Sequence, residues 1–269
     1  MADRIAILGA GKMGEALLSG LIRAGGSPAD LLVTSREAER AERLADRYGV
    51  EVVDNDAAVK AAQTIIVAVK PQDMGALLAE IEPSVTSEQL VVSVAAGITT
   101  EFIERRLAAG VPVVRVMSNT PVLVDQAMSA LSAGSHATES HLARTEQLLR
   151  SVGRTIRVPE SQQDAVTALS GSGPAYFFYL VEAMTDAGIL LGLPRSVAHD
   201  LIVQTAIGSA VMLRDSGDTP QTLREAVMSP AGTTIAAIRE MENHKVRAAF
   251  LAALEAARDR SRELASGHE

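Results

Sequence analysis

The chain has 269 residues, of which 47% are hydrophobic and 22% charged, a composition typical of a globular protein of roughly two domains. Its formal net charge of -8 argues against a nucleic acid or an anionic membrane as a partner. The chain has no cysteine, which excludes disulfides and thiolate chemistry, and its five scattered histidines lack zinc-ligand spacing, so we expect no metal site.

A glycine-rich turn joins the first predicted strand to the first predicted helix. Residues 4–8 form a short apolar run, Gly9, Gly11 and Gly14 follow in the pattern G-x-G-x-x-G, and an apolar-periodic helix begins near residue 16. In dinucleotide-binding folds the first glycine allows a tight turn, the second lets the backbone approach a pyrophosphate, and the third packs helix against strand. The turn, which contains Lys12 and Met13, therefore predicts a dinucleotide pyrophosphate at the helix N-terminus.

The end of the second predicted strand indicates which dinucleotide binds. An NAD site places Asp or Glu for the ribose about 20 residues after the glycines. This chain has Ser35 and Arg36 there, after the apolar run 31–33. A guanidinium suits a 2′-phosphate because its planar donors pair with phosphate oxygens. We therefore predict NADP(H) as the preferred cofactor and NAD(H) as the second option. The alternative is a glycine turn followed by an ordinary surface arginine.

Residues 1–159 alternate short apolar runs with helical patterns. Helical segments are predicted over 37–48, 71–81, 101–109 and 139–149. Such alternation indicates parallel βαβ units, and hence an α/β fold with a Rossmann-like doubly wound sheet. The run 127–133 has no helix before it and could therefore pair antiparallel. The eight predicted strands are 4–8, 31–33, 51–53, 64–69, 90–94, 111–117, 127–133 and 154–158.

From residue 160 to 269 the strand pattern gives way to an all-α domain. The helix that begins at Arg195 is apolar on more than one face and should therefore be buried. A small helical domain has little room to bury such a helix, so we expect a second chain to complete this half. The predicted helices span 161–169, 174–191, 194–215, 219–227 and 232–266, with a break near Asn243.

No segment is predicted to cross or anchor to a membrane. The longest apolar run, from Ala175, is interrupted by Glu182 and Asp186 and is too short and too charged to span a bilayer. The sequence leads directly into the first strand, so we expect no signal peptide and a cytoplasmic protein.

Several strand ends of the first half are candidate cofactor contacts. Ligands of open α/β sheets bind at the carboxyl ends of the strands. The fourth predicted strand ends in Ala68, Val69, Lys70 and Pro71. Ala95, Gly97 and Asn119 follow the next two strands, where small residues would let a flat nicotinamide ring approach the backbone. The alternative for the first of these segments is a helix-capping turn with a solvated lysine.

Two segments of the helical half also stand out. The turn 229–234 places hydroxyls and a glycine before a helix, and the free N–H groups there suit a small carboxylate. An ordinary N-cap by Thr233 is the alternative. The segment 170–179 holds four of the seven aromatic residues and could be a packing plug. No acid–base set is apparent, but hydride transfer to a protonated imine needs only orientation and a partner for the nitrogen.

Together, six segments resemble the pyrroline-5-carboxylate reductase family. The runs Ala-Leu-Ser-Gly-Ser-Gly-Pro-Ala-Tyr and Ser-Pro-x-Gly-Thr-Thr-Ile are specific to that family, whereas the glycine fingerprint is not. The resemblance implies NADPH-dependent reduction of 1-pyrroline-5-carboxylate to L-proline, the last step of proline biosynthesis. It also implies a C-terminal dimerisation domain and homodimers that can assemble as a pentamer of dimers. The matching segments are 7–16, 68–71, 93–99, 115–121, 164–177 and 229–238.

The resemblance assigns roles at the cofactor end of the site. Ser35 and Arg36 would hold the 2′-phosphate, and Asn55 would contact the adenosine side. The family usually reads Met-Pro-Asn-Thr-Pro where this chain has Ser118 in place of the first proline.

The resemblance also assigns roles at the substrate end. Ser229, with the backbone of Gly232 and Thr233, would hold the substrate carboxylate. The hydroxyl of Thr234 would bond the ring nitrogen, which makes Thr234 the predicted catalytic residue. The family usually has glycine where this chain has Ala231. If that position needs a positive φ, alanine would cost on the order of 1 kcal/mol and shift the loop.

Two other functions stay open. The same fold could reduce another cyclic imine or a short hydroxyacid, although the missing catalytic lysine argues against the hydroxyacid. A non-catalytic NADP(H)-binding redox sensor is the other option. The intact segment 229–234 argues against a sensor, because a sensor needs no carboxylate site.

Overall fold

The computed structural model describes residues 3–266 and contains one eight-stranded sheet. The strand order is β3-β2-β1-β4-β5-β6-β7-β8. All neighbouring strands pair in parallel except β6 and β7, which pair antiparallel. The strands are β1 (Ile5–Leu8), β2 (Leu31–Thr34), β3 (Glu51–Val52), β4 (Thr64–Val67), β5 (Leu90–Ser93), β6 (Val113–Met117), β7 (Ala127–Ala133) and β8 (Gly153–Arg157).

Helices cover both faces of this sheet, as a doubly wound fold requires. Alternate residues of β1 enter two separate cores: Ile5 and Ile7 join one cluster, and Ala6 and Leu8 join the other. Strands buried on both faces must be apolar throughout, which explains the unbroken apolar runs in the sequence. The helices of this part are α1 (Lys12–Arg23), α2 (Ala38–Tyr48), α3 (Asn55–Ala61), α4 (Met74–Ile81), α5 (Thr100–Glu104), α6 (Glu139–Leu149) and α7 (Gln163–Val166).

The predicted sheet is confirmed in its strands and its pairing. Each of the eight predicted strands is present, and the ends differ from prediction by two residues or fewer. The suggestion that the seventh strand runs antiparallel is confirmed by its register against β6, with Val116 opposite Leu131. The predicted helix 71–81 begins instead as a 3-10 turn over Pro71–Asp73 before α4. Helix α3 was not predicted. It has only seven residues and follows a strand of two, so neither element shows a clear periodicity in the sequence.

The order of the strands fixes where a ligand can bind. The chain passes from β1 outward through β2 and β3 and then returns to the other side of β1 with β4. The helices after β1 and β4 therefore diverge, and a crevice opens at the carboxyl ends of these two strands. Gly9 and Ala68 are the first residues after β1 and β4, so the candidate cofactor residues begin at this crevice.

The chain forms two compact units, the second of which spans Gly173–Ala256. Within the described residues, the first unit comprises 3–172 and 257–266. The division predicted at 159/160 follows the end of β8, but residues just beyond it bond to the sheet. The Glu160 carboxylate accepts from Arg115 at 2.9 Å, and the Gln163 amide donates to Ser132 Oγ at 2.7 Å.

The second unit is helical, as predicted. Two of its helices are each followed, two residues after their last residue, by a glycine with a positive φ: Gly192 and Gly217. This backbone conformation favours glycine and is common where a helix ends. The predicted break near Asn243 is confirmed by the gap between the last two helices. The helices are α8 (Gly173–Leu190), α9 (Arg195–Asp215), α10 (Pro220–Ala226), α11 (Thr233–Asn243) and α12 (Val246–Ser266), of which α12 ends in the first unit.

The surfaces of α8 and α9 are rich in exposed apolar side chains. Phe177, Phe178 and Leu201 are all exposed in the single chain. Among the described residues, α9 is the one helix long and apolar enough to cross a membrane by length and composition alone. Only 6% of its most apolar window is buried within the chain. The apolar surface of α9 is thus left exposed to solvent in a single chain, although a helix of this composition is normally buried.

Candidate active site

A cleft of about 880 Å³ lies at the carboxyl ends of β1, β2, β4 and β5, entirely within the first unit. It has the position expected for a dinucleotide site at the topological switch point. Residues that the sequence analysis singled out make up much of its wall. They are Gly9, Gly11, Lys12, Met13, Ser35, Arg36, Asn55, Ala68, Val69, Lys70, Pro71 and Ala95.

The three glycines of the fingerprint play different structural roles. Gly9 has φ 93°, and a Cβ there would lie 2.7 Å from Val69 Cγ1. A Cβ at Gly14 would overlap the carbonyl oxygen of Gly9, so close packing of helix on strand requires glycine. A Cβ at Gly11 would have no heavy atom within 4 Å, so space remains open beside the backbone at that position. This open space is what the approach of a pyrophosphate requires.

The end of β2 holds the glycine turn in place. The backbone N–H of Gly9 donates to Thr34 Oγ1 at 3.2 Å, and Ala10 N–H donates to the Thr34 carbonyl at 3.1 Å. Thr34 also lines the cleft, directly before Ser35 and Arg36. Thr34 therefore links the glycine turn to Ser35 and Arg36, the predicted 2′-phosphate contacts.

Arg36 forms an ion pair across the cleft wall with Asp73, which the sequence analysis did not single out. Its Nη2 lies 2.8 Å from Asp73 Oδ2, and its Nη1 lies 3.4 Å from Oδ1. Arg40 lines the cleft as well and donates from Nη1 to the Ala10 carbonyl at 3.3 Å. No pattern of the sequence singles out Arg40, which lies among the other charged residues of α2.

The adenosine side of the cleft contains a second carboxylate contact. Asn55 begins α3, and its Nδ2 donates to both carboxylate oxygens of Glu80 at 3.0 and 3.1 Å. The amide is thereby oriented so that its Oδ1 is the group left to accept from a ligand. Asp54 caps α3 through a 2.7 Å bond to Ala57 N–H.

Charges of both signs line the cleft in equal number. Its four basic residues are Lys12, Arg36, Arg40 and Lys70, and its four acidic residues are Glu37, Asp54, Asp73 and Glu80. The chain as a whole has a formal net charge of -8, so the cleft is locally less acidic than the protein. The basic side chains of the cleft can therefore attract a highly anionic cofactor, although the net charge of the protein would repel it.

Three of the predicted cofactor residues do not line this cleft. Gly14 lies behind the glycine turn. Gly97 has φ 74° and lies against the end of α12, where a Cβ would be 3.8 Å from Ala265 N. Asn119 donates from Nδ2 to the Ser170 carbonyl at 3.2 Å and accepts from Met128 N–H at 3.0 Å. Its side chain thus links β7 to the helical segment that contains Ser170, and a contact with the cofactor stays a prediction.

The predicted substrate segment lies in the second unit, before α11. Gly232 N–H donates to the Ser229 carbonyl at 3.0 Å, which closes a tight turn. A Cβ at position 232 would overlap Ser229 Oγ, so this conformation of the turn requires glycine there. Within the described part of the chain, the hydroxyl groups of Ser229, Thr233 and Thr234 have no hydrogen-bond partner. They are therefore available to a ligand.

Ala231 has φ 59°, in the left-handed region that favours glycine. The condition under which alanine would be costly at this position is thus met. The helix that follows begins normally, because Gly232 has extended φ and ψ values of -78° and 176° and precedes Thr233. The chain therefore forms the turn despite alanine, at a backbone cost of about 1 kcal/mol.

Two family models match the chain. Residues 160–264 match the family described as pyrroline-5-carboxylate reductase dimerisation. Residues 4–97 match the family described as NADP oxidoreductase coenzyme F420-dependent. The second match covers the glycine turn and most of the residues that line the cleft.

Similar proteins cover nearly the whole chain. A pyrroline-5-carboxylate reductase from Corynebacterium melassecola is 46% identical, over 97% of this chain and 98% of its own. The solved pyrroline-5-carboxylate reductase from Coxiella burnetii aligns with a TM-score of 0.93 at 35% identity, over 98% of this chain and 99% of its own. The Plasmodium falciparum pyrroline carboxylate reductase, solved with NADP bound, aligns with a TM-score of 0.88 at 26% identity, over 98% of both chains.

Proposed function

The chain belongs to the pyrroline-5-carboxylate reductase family, and from that premise we propose that it reduces the C=N bond of 1-pyrroline-5-carboxylate to give L-proline. It is an NAD(P)H-dependent oxidoreductase that performs the last step of proline biosynthesis. The observation that carries this proposal is the cleft at the switch point of the sheet. There an open glycine turn and the guanidinium of Arg36 line one wall.

NADP(H) is the preferred cofactor, and NAD(H) is the second option. The space beside Gly11 fits a pyrophosphate, and the buried Nε of Arg40, which makes no hydrogen bond, is a donor on the same wall as Arg36. Ser35 and Arg36 would hold the 2′-phosphate, and Asn55 would contact the adenosine side. The nicotinamide, when bound, supplies the hydride.

The substrate carboxylate is assigned to the turn before α11. Gly232 N–H is engaged within the turn, so the contacts come from Ser229 Oγ and from the N–H of Thr233 at the start of the helix. A helix N-terminus favours an anion through its free N–H groups and its dipole. This arrangement supports the predicted substrate residues but assigns Gly232 a positioning role rather than a direct contact.

Thr234 is the proposed catalytic residue. Its hydroxyl would hydrogen-bond the ring nitrogen and orient the protonated imine, whose carbon accepts the hydride while the nitrogen keeps its proton as the amine. No strong acid is required for this step, because the imine nitrogen is protonated before the transfer. The contribution of the protein is orientation and a polar partner for nitrogen.

The helices of the second unit form the proposed homodimer interface. Residues 160–264 match the dimerisation family, and the exposed apolar side chains of α8 and α9 need cover. A second copy supplies this cover and accounts for the low burial of α9 within one chain. Assembly of five such dimers, and a cytoplasmic location, stay predictions from the sequence.

An assay of reduced-nicotinamide oxidation tests the function. Purified protein is mixed with NADPH and DL-pyrroline-5-carboxylate, and the loss of absorbance is followed with NADH in parallel. Rapid oxidation that favours NADPH supports both the reaction and the cofactor. Binding of NADPH without reduction of any cyclic imine contradicts the proposal and favours a redox sensor. Faster reduction of a six-membered imine would change the assigned substrate.

A further inference from the structure

The contact between Arg36 and Asp73 uses the same donor geometry that a phosphate would use. Two guanidinium nitrogens face two carboxylate oxygens, with separations of 2.8 and 3.4 Å. Guanidinium pairs with carboxylate and with phosphate through the same planar fork. We propose that Asp73 is a specificity-determining residue whose carboxylate competes with the cofactor's 2′-phosphate for Arg36 and so limits the preference for NADP(H) over NAD(H).

The two partners differ in how firmly the protein holds them. The side chain of Arg36 is 81% exposed, whereas that of Asp73 is 29% exposed. Asp73 ends the 3-10 turn that begins at Pro71 and precedes α4, so its backbone is fixed beside the cleft. Arg36 lies in the short connection between β2 and α2. The exposed arginine can therefore exchange partners while the aspartate stays in place.

The carboxylate of Asp73 does not cap the helix that follows it. It occupies the residue before α4 but makes no side-chain cap hydrogen bond to that helix. The hydrogen bonds that its carboxylate accepts within the described residues are those from Arg36. The carboxylate therefore makes no hydrogen bond to α4 and acts on that helix only through the helix dipole, so its removal should affect ligands of the cleft more than the fold.

The exchange has a clear electrostatic direction. A phosphate monoester carries a charge of about -1.5 to -2 at neutral pH, so its attraction to Arg36 exceeds that of one carboxylate. An exposed ion pair such as Arg36–Asp73 is individually weak, which makes it replaceable. NADP(H) must break this pair and then bind beside an uncompensated aspartate. NAD(H), which lacks the phosphate, leaves the pair intact.

This competition predicts that the native chain binds NADP(H) less tightly than its arginines alone would allow. Arg40 strengthens the argument, because its Nε is buried without a hydrogen-bond partner and lies 3.7 Å from Glu37 Oε2. A second guanidinium therefore lies along the same wall and is incompletely satisfied. Removing the charge of Asp73 would leave Arg36 free beside it.

The inference rests on the proposed NADP(H) site, and a binding experiment separates the two. Calorimetric titration of the intact protein with NADP+, NAD+ and adenosine 2′,5′-bisphosphate measures affinity without turnover. For Asp73→Asn we expect about fivefold tighter binding of NADP+ and of the bisphosphate, the upper end for one exposed ion pair. The affinity for NAD+ should change by less than about twofold.

Matched variants isolate the cause. Asp46→Asn removes one negative charge from an exposed position of α2 outside the cleft and should leave all three affinities unchanged. In an Arg36→Ala background, Asp73→Asn should lose at least half of its effect, because the competition requires the arginine. An equal gain in both backgrounds would indicate simple repulsion and overturn the exchange. Asp73→Ser provides a second neutral variant if the asparagine protein is unstable.

The failures of the two proposals differ. If the native protein binds neither NADP+ nor the bisphosphate, the cofactor assignment itself is wrong. If it binds both and Asp73→Asn leaves the affinities unchanged or weakens them, the cofactor site stands and the competition is wrong. Thermal unfolding of each variant, measured alongside, identifies any loss of affinity that results from a damaged fold.

Discussion

Ser129 Oγ donates a hydrogen bond to Ser118 Oγ at 2.9 Å, and both side chains are buried. Ser129 belongs to β7, and Ser118 follows the last residue of β6, next to the pair Met117 and Ala130. Proline, which the family usually has at position 118, could not make this bond. The departure from the family pattern is therefore accompanied by a partner in the facing strand, and it does not leave a buried polar group unsatisfied.

The two serines should depend on each other for stability. Ser118→Ala leaves the buried hydroxyl of Ser129 without its partner, so we expect the free energy of unfolding to fall by about 1–2 kcal/mol. Ser129→Ala should cost a similar amount, whereas the double variant should cost less than the sum. Urea unfolding of the four proteins measures this coupling. Strictly additive effects would show that the hydroxyl pair contributes nothing.

The glycine turn provides a variant that separates cofactor binding from folding. Gly11→Ala should leave the melting temperature nearly unchanged, because its Cβ would meet no heavy atom within 4 Å. The methyl group would occupy the space predicted for the pyrophosphate, so NADPH affinity should fall at least tenfold, or about 1.4 kcal/mol. Fluorescence titration with NADPH and thermal unfolding measure the two effects.

Gly14→Ala is the matched control for this variant. Its Cβ would overlap the Gly9 carbonyl, so we expect a loss of about 2 kcal/mol or more in stability. A stable Gly14→Ala protein would contradict the packing role of the third glycine. Unchanged NADPH binding in Gly11→Ala would show that the pyrophosphate lies elsewhere.

Replacing Ala231 by glycine should relieve backbone strain beside the proposed substrate site. With φ at 59°, alanine costs about 1 kcal/mol relative to glycine, which corresponds to a rise of about 2 °C in melting temperature for Ala231→Gly. Lys245 has φ 56° and lies between α11 and α12, so Lys245→Gly should give a similar rise. Only Ala231→Gly should alter the KM for the imine. Equal kinetics in both variants would exclude any effect of the strained turn on substrate binding.

Much of the fold could be predicted because the local and global signals agree. The strands from Ile5 and Leu31 are apolar, apart from the final Thr34, since both of their faces are buried, and glycines or prolines mark many of the connections. The short helix α3 could not be found in this way, because seven residues give little periodicity. The positive φ at Ala231 was predictable only through the family's usual glycine at that position.

The residues of the cleft were predictable in part, for a physical reason. The glycines and the strand ends follow from chain order, since each lies directly after a strand. Asp73, Glu80 and Arg40 were missed, because charged residues on helices ordinarily indicate a solvated face. Their pairing with Arg36, Asn55 and the Ala10 carbonyl depends on α2, α3 and α4 meeting at one end of the sheet. Such contacts exist only after the chain has folded.

The proposed role of Thr234 can be tested kinetically. Thr234→Ala should lower kcat tenfold or more, through loss of one hydrogen bond worth about 1–2 kcal/mol. Thr234→Ser retains the hydroxyl and should restore most of the activity. NADPH affinity should not change in either variant, because the first unit contains the whole cleft. Kinetics of Thr234→Ala equal to those of the native protein would remove Thr234 from the mechanism.

The ion pair between Glu146 and Arg157 should make stability fall in acid. Hydrogen bonds from Arg157, at 2.7 and 3.1 Å, lower the pKa of the Glu146 carboxyl below its ordinary value of 4.5. A depressed pKa contributes stability above the unfolded-state value, and this contribution is lost as the pH falls through the folded-state value. Glu146→Gln should therefore unfold at lower urea than the native protein at neutral pH.

The difference between Glu146→Gln and the native protein should disappear as the pH falls below 4.5, because both then carry a neutral group at position 146. Glu139→Gln removes a charge from the same guanidinium, but the Glu139 side chain is 76% exposed against 15% for Glu146. Solvent screens an exposed pair, so this control should show a smaller difference at every pH. Urea midpoints of the three proteins, measured across the acid range, test this prediction. A constant gap between native and Glu146→Gln proteins would show that the stabilisation comes from packing and not from the charge.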